Sequence, residues 1–149
     1  MRIIAFCNQK GGVGKTTTCF NVGAALTLSG KKVLFVDGDP QGDLSTMAGF
    51  RTVPESDLTL YDVLHGEDIN KAIKESSSGS IIVSDDTLAR GEADLLKESR
   101  FALKKALNEL KTYYDFVLID CPPSLGILTV NELTAADEVI VTVNRSSWL

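Results

Sequence analysis

Residues 10 to 17 read KGGVGKTT, a glycine-rich segment with two lysines that follows an apolar stretch, residues 3–7. The glycines lack a Cβ atom, so the backbone can turn sharply and direct successive N–H groups at phosphate oxygens. A helix predicted to begin near Thr16 adds the positive end of its dipole at the same point. Such a turn between strand and helix predicts a phosphate-binding loop. A glycine-rich turn without a ligand is the alternative, and the agreement of spacing, lysines and threonine argues against it.

The loop departs from the usual pattern G-x-x-x-x-G-K-[ST] at its first position. The pattern requires a glycine six residues before its lysine, which is Lys15 here, but that position is occupied by Gln9. A further cation, Lys10, stands at the opening of the loop. The pattern predicts that Lys15 contacts the β- and γ-phosphates and that the Thr16 hydroxyl ligates Mg²⁺.

Length and composition limit the classes of protein to consider. With 149 residues and 44% hydrophobic content, the chain suits one domain that buries roughly 70% of its unfolded surface. We find no uninterrupted apolar window of about 18 residues and no leader-like N-terminus. The expectation is therefore a soluble, cytoplasmic protein without a membrane anchor.

Cysteine and histidine usage argues against several kinds of site. Cys7, Cys19 and Cys121 are odd in number, far apart in the chain and never in a C-x-x-C pair. This argues against a disulfide framework or a zinc knuckle, and predicts reduced, packed thiols. His65 is the single histidine, which argues against a metal site built from histidines and against a Ser-His-Asp triad.

Apolar runs alternate with helical patterns along the chain, which predicts an α/β fold with parallel strands joined by right-handed crossovers. The predicted strands, about five in number, are residues 1–8, 32–37, 80–84, 115–120 and 138–144. The predicted helices are residues 16–29, closed by Gly30, then 60–64, 69–75, 88–113 with a break near Ser99, and 126–136. Residues 38–57 are predicted as a loop, and the SSSGS segment, residues 76–80, as a solvated turn.

Carboxylates follow two of the predicted strands. Asp120 ends an apolar strand, and the carboxyl edge of a parallel sheet is where ligands bind, so Asp120 is expected to hold Mg²⁺. The alternative is that Asp120 only caps the turn before Pro122. Asp37 and Asp39 end the second strand within VDGDPQG. One of these two is expected to position the water that attacks the γ-phosphate.

Taken together, KGGVGKTTT, VLFVDGDPQGDLS and DFVLIDCPPSLGILTVNELTAADEVIVTVN resemble, in order and spacing, the ParA (Soj) family of chromosome and plasmid partitioning ATPases. This is a deviant Walker A class. The resemblance covers residues 2–144 and is weakest over residues 51–111. It implies a three-layer P-loop NTPase fold, with a mostly parallel twisted sheet flanked by helices, over residues 1–144, followed by an atypical tail, residues 145–149. It also implies ATP and Mg²⁺ as ligands.

The resemblance assigns roles to individual residues. Lys10 is the signature lysine that reaches across a nucleotide-sandwich dimer, and Thr17 contacts the α-phosphate. Asp39 orients or activates the hydrolytic water, helped by Asn8. The implied catalytic set is Lys10, Lys15 and Asp39. The implied nucleotide-binding set is Lys10, Gly11, Gly12, Val13, Gly14, Lys15, Thr16 and Thr17. The implied metal-binding pair is Thr16 and Asp120, the Walker B carboxylate.

For the family, the resemblance implies ATP-dependent homodimers that bind DNA non-specifically and a centromere-binding ParB-type partner that stimulates hydrolysis. A MinD-like ATPase that positions protein cargo, and a nucleotide-binding remnant without turnover, are the alternatives. Relatives continue past the equivalent of Asn144 with the basic surface that binds DNA, whereas this sequence ends RSSWL, as if truncated. Its 15 basic and 20 acidic residues predict that the chain alone binds DNA poorly. The last strand is expected to lack a covering helix.

Overall fold

The structure, a computed structural model, describes residues 1–8, 14–95 and 97–143. The described strands form one sheet with the order β3-β4-β2-β5-β1-β6. They are β1 Arg2–Cys7, β2 Val33–Asp37, β3 Lys74–Ser76, β4 Gly79–Ile82, β5 Phe116–Asp120 and β6 Glu138–Val141. All neighbouring strands pair in parallel except β3, which runs antiparallel to β4. The predicted mostly parallel sheet is confirmed, with one more strand than the five expected.

Helices cover both faces of this sheet. They are α1 Lys15–Leu28, α2 Asp43–Met47, α3 Leu60–Leu64, α4 Ile69–Ala72, α5 Thr87–Gly91, α6 Ala102–Asn108 and α7 Ile127–Ala135. One core cluster joins strand residues such as Phe6 and Phe35 to Cys19 of α1 and Leu44 of α2. The other joins the alternate strand residues to helices α3 to α7. Because successive strand side chains point to opposite faces, the apolar run VLFV supplies both cores, giving the three layers that were predicted.

The region before β4 differs from the prediction. Residues 69–75 were predicted as one helix, but α4 ends at Ala72 and β3 follows it. The serine-rich turn is not merely a solvated connection, because it closes the β3–β4 hairpin. The Ser76 hydroxyl donates to the Gly79 carbonyl oxygen at 2.6 Å, and Ser76 Oγ accepts from the Ser78 N–H at 3.2 Å. Gly79 has a φ of 135°, which favours glycine at this position.

The long helix predicted over residues 88–113 is interrupted more extensively than expected. After α5 the chain forms 3₁₀ turns at Glu92–Asp94 and Lys97–Phe101 before α6 begins. The Asn131 side chain of α7 accepts the Leu103 N–H at 3.1 Å and so caps the first turn of α6. Phe101, just before α6, is half exposed beside the Arg100 guanidinium. The break is therefore set by a contact distant in sequence.

Two further expectations concern the loop 38–57 and the last strand. The loop contains α2, which the sequence did not predict. The last strand is β6, and Val139, Ile140 and Val141 on it are all exposed to solvent in the part of the chain that the structure describes. Among the described residues we find no helix long and apolar enough to cross a bilayer.

Candidate functional site

The site forms where β2, β5 and the first turn of α1 meet at the carboxyl edge of the sheet. Asp37 and Asp120 end their strands and are direct register partners. Gly14 precedes α1 with a φ of 75°, a left-handed conformation that glycine adopts at little cost. This turn places Lys15 and Thr16, the first residues of the helix, over the ends of the strands. The edge is the one at which open α/β sheets bind ligands.

Lys15 lies at the centre of this site and is only 8% exposed. Its ammonium donates to Asp120 Oδ1 at 2.6 Å and also to the backbone carbonyl of Cys121. Asp39 Oδ2 lies 3.7 Å from the same nitrogen. Burial lowers the pKa of Lys15, but the charge and hydrogen bond of Asp120 and the charge of Asp39 outweigh it, so the pKa is raised. The lysine is therefore charged and held between two carboxylates.

Asp120 is shared between Lys15 and Thr16. The Thr16 hydroxyl donates to Asp120 Oδ2 at 2.7 Å, while Oδ1 accepts from the lysine. Burial raises the pKa of Asp120, and the charge and hydrogen bond of Lys15 and the hydrogen bond of Thr16 offset only part of that effect. A hydroxyl and a carboxylate side by side form the oxygen donor set that Mg²⁺ prefers. The predicted metal pair, Thr16 and Asp120, is thus brought together and fits such an ion.

Asp37 and Asp39 have different surroundings, and of the two only Asp39 lies within ion-pair distance of Lys15. Asp39 Oδ1 accepts the Gln41 N–H at 3.0 Å, and its other oxygen faces Lys15 in the site. Asp37 instead accepts the Ser45 N–H at 2.8 Å, the Ser45 hydroxyl at 2.6 Å and the Asp39 N–H at 3.2 Å. Asp37 is fully buried, and this burial raises its pKa to about 7. Asp37 therefore organises the loop from which Asp39 projects.

Several predicted site residues are not placed by these contacts. Lys10, Gly11, Gly12 and Val13 lie outside the described residues. Thr17 is exposed on the first turn of α1, and its predicted phosphate contact stays a prediction. The Asn8 amide donates to the backbone oxygen of Thr142, and its Nδ2 lies 3.2 Å from Thr142 Oγ1. Asn8 thus links the end of β1 to the residue after β6.

One buried residue beside the site was not identified from the sequence. Glu132 of α7 is completely buried, and neither carboxylate oxygen has a hydrogen-bond partner within the described ranges. Burial raises the pKa of Glu132 well above its ordinary value. It packs against Gly38, where an added Cβ would lie 1.8 Å from Glu132 Oε1. The sequence signal that could have identified Glu132 is its spacing of four residues from Leu128, which places both residues on the same buried face of α7.

Comparison with known proteins gives consistent matches. A family model described as an AAA domain, AAA_31, matches residues 1–148. The chromosome-partitioning ATPase Soj of Treponema pallidum is 46% identical over 145 residues, which covers 94% of this chain and 56% of that protein. The chromosome partitioning protein ParA of Caulobacter vibrioides is 46% identical over 148 residues, covering 95% of this chain and 55% of that protein.

A solved structure extends the comparison to three dimensions. Cobyrinic acid a,c-diamide synthase from Mycobacterium smegmatis, with a bound ATP analog and magnesium, superposes with a TM-score of 0.89 at 44% identity. The match covers 96% of this chain and 60% of that one. The resemblance to the ParA/Soj ATPases and the predicted P-loop fold are both confirmed. The chain spans little more than half the length of the curated relatives it matches.

Proposed function

This chain belongs to the AAA domain family AAA_31, and from that premise we propose that it binds ATP with Mg²⁺ and hydrolyses the γ-phosphate. The observation that carries the proposal is the arrangement of Lys15, Thr16 and Asp120 with Asp39 facing the same ammonium. A buried cation beside a hydroxyl–carboxylate pair matches the needs of a triphosphate and its metal ion. The M. smegmatis relative was solved with an ATP analog and magnesium, which supports the choice of ligands.

Each residue has a distinct task in the proposed reaction. Lys15 turns its ammonium from the Asp120 carboxylate to the β- and γ-phosphate oxygens, whose negative charge it neutralises. Thr16 and Asp120 would hold Mg²⁺, which would supply charge neutralisation at the transferred phosphoryl group. Asp39 accepts a hydrogen bond from the attacking water and so fixes the direction of its lone pair. Asp37, itself held by Ser45, accepts the Asp39 N–H and so keeps the backbone of Asp39 in place.

We further propose that ATP binding promotes homodimerisation, and that the turnover cycle serves DNA partitioning. Lys10 would then complete the site of a second copy, as the resemblance implies. The two named partitioning relatives support this finer assignment. In the cytoplasm, a ParB-type protein would stimulate hydrolysis, and the ATP-bound dimer would bind chromosomal or plasmid DNA non-specifically. A cargo-positioning ATPase and a remnant without turnover are the competing functions, and turnover in the isolated chain excludes the remnant.

The experiment that tests the proposal is phosphate release from ATP by this chain and by Asp39→Ala. We expect the variant to bind ATP with little change, because Asp39 contacts the water and not the nucleotide. Turnover should fall at least about 100-fold, the usual cost of removing a group that positions a reactant. Asp43→Ala on the neighbouring helix α2 is the matched control, since Asp43 is exposed. Retained turnover in Asp39→Ala would remove Asp39 from this role.

A further inference from the structure

Cys7 and Cys121 are neighbours on adjacent strands, although 114 positions separate them in the sequence. Phe6 of β1 and Asp120 of β5 are register partners, and the Cys121 N–H donates to the Phe6 carbonyl at 3.1 Å. Cys7 and Cys121 are therefore the next pair along this parallel ladder. Both side chains lie on the same face of the sheet, in the core that α7 covers.

The two thiols are close enough to interact directly. Each thiol is the largest influence on the pKa of the other, and the pKa of Cys7 is lowered while that of Cys121 is raised. Adjacent strands lie roughly 4.7–4.9 Å apart. A disulfide requires Cα atoms about 4.4–6.8 Å apart. The pair also lies at the end of the ladder, since Cys7 is the last residue of β1 and Cys121 follows β5. Closing the bond therefore needs little movement of the backbone.

We propose that Cys7 and Cys121 are a redox modification site, and that their disulfide reversibly disables the nucleotide site. Cys7 leads through Asn8 into the phosphate loop. Cys121 follows the carboxylate Asp120, and its carbonyl oxygen accepts the hydrogen bond of Lys15. The bond would thus tie the entry of the loop to the edge that holds the lysine. The effect on turnover rests on the proposed ATPase function, whereas formation of the bond does not.

The chemistry balances with a peroxide as the oxidant. Cys7 is partly exposed and Cys121 is buried, so the peroxide reaches Cys7 first. The Cys7 sulfur attacks the peroxide, the O–O bond breaks, and a sulfenic acid and one water form. The Cys121 sulfur then attacks the Cys7 sulfur, forming the S–S bond and releasing a second water. Two thiols and one hydrogen peroxide give one disulfide and two waters, and a dithiol reverses the step.

The third cysteine provides a matched control within the same chain. Cys19 of α1 is completely buried and belongs to the core on the opposite face of the sheet. It has the same chemistry but is packed away from the other two thiols. Cys19→Ser should therefore leave the cross-link and its effect unchanged. Cys7→Ala removes the cross-link without adding a polar group to the core.

The test treats the folded chain with hydrogen peroxide and maps its peptides without reduction. We expect a linked pair of peptides carrying Cys7 and Cys121, lighter by two hydrogens and released by dithiothreitol. The linkage should be present in Cys19→Ser and absent in Cys7→Ala. Sulfinic acid at Cys7 without linkage, or linkage of Cys19 instead, would overturn the proposal. Because the readout is the mass of the linked peptides, it identifies the two linked cysteines even if the chain does not hydrolyse ATP.

The second arm measures ATP hydrolysis before and after peroxide. We expect the oxidised chain to lose at least about tenfold in turnover, because displacement of Lys15 by a fraction of an ångström is costly. Dithiothreitol should restore the activity, and Cys7→Ala should be insensitive to peroxide. Unchanged turnover in a fully cross-linked chain would contradict the claim that the bond disables the site.

Discussion

At the scale of single residues, Asp37 and Asp39, which are separated by one glycine, make different contacts. Asp37 is turned into the fold and receives three hydrogen bonds, whereas Asp39 faces Lys15. From the residues of VDGDPQG alone, the prediction was that one of them positions the attacking water, and the family resemblance assigned that role to Asp39. The difference arises from Ser45 on α2, whose hydroxyl and N–H both reach Asp37. A helix that the local pattern did not predict thus occupies the Asp37 carboxylate with hydrogen bonds, while an oxygen of Asp39 faces Lys15.

The buried Asp37 makes stability depend on pH. Its pKa is raised to about 7 by burial, so the folded state holds a proton that the unfolded chain releases near pH 4. The resulting stability is fully present below pH 4 and is lost as pH rises through about 7. We expect the free energy of unfolding of the wild type, relative to Asp37→Asn, to fall by about 2–4 kcal/mol over this range.

Urea denaturation of the two proteins at several pH values between 4 and 8 measures this difference. The variant loses an acceptor at the Asp39 N–H, so its absolute stability also falls. The comparison therefore concerns the slopes with pH and not the stabilities at one pH. Parallel pH profiles would show that folding does not raise the pKa of Asp37.

At the scale of elements, Gly38 directly follows β2 and contacts the last residue of β5 and Glu132 of α7. Its N–H donates to the Asp120 carbonyl at 2.8 Å, and an added Cβ would lie 2.7 Å from that oxygen and 1.8 Å from Glu132 Oε1. We expect Gly38→Ala to destabilise the fold by about 1–3 kcal/mol, as overpacking usually does. Glu132→Ala in the same chain should restore part of this loss, since it removes the nearer clash.

Thermal or urea unfolding of both single variants and the double variant forms a cycle that isolates the coupling. Gly49→Ala is not a suitable control because Gly49 has a φ of 101°. Ala48→Gly, at the end of α2, is a better reference for a change of one methyl group. Additive effects of Gly38→Ala and Glu132→Ala would contradict the packing described.

The elements also show how far sequence could predict this fold and site. The long apolar strands and helices α1, α3 and α7 were predicted within a few residues, because periodicity and capping signals within each segment agree. The short elements α2 and β3 were missed, and the helix over residues 88–113 was drawn too long. Their bounds depend on distant contacts, such as Asn131 with Leu103. Glu132 was missed because a buried acid contradicts its usual preference.

At the scale of the whole molecule, charge limits what this chain can bind. The net charge is −5, and Lys15 is occupied within the nucleotide site. Non-specific DNA binding of moderate strength uses roughly 6–10 phosphate contacts, mostly from Lys and Arg. We expect no shift of duplex DNA by this chain at micromolar concentration and about 150 mM salt, with or without ATP. A salt-dependent gel shift under these conditions would contradict the expectation.

The proposed ATPase activity requires that the site around Lys15 binds ATP together with Mg²⁺. Isothermal titration calorimetry of the folded chain with ATP, in the presence and absence of Mg²⁺, tests it most directly. Lys31→Ala is the control, because Lys31 is exposed, and Lys15→Ala is the disabled variant, with circular dichroism confirming that each is folded. We expect saturable, Mg²⁺-dependent heat for the wild type and Lys31→Ala and none for Lys15→Ala. Absence of uptake by the folded wild type, or undiminished uptake by Lys15→Ala, would contradict this expectation.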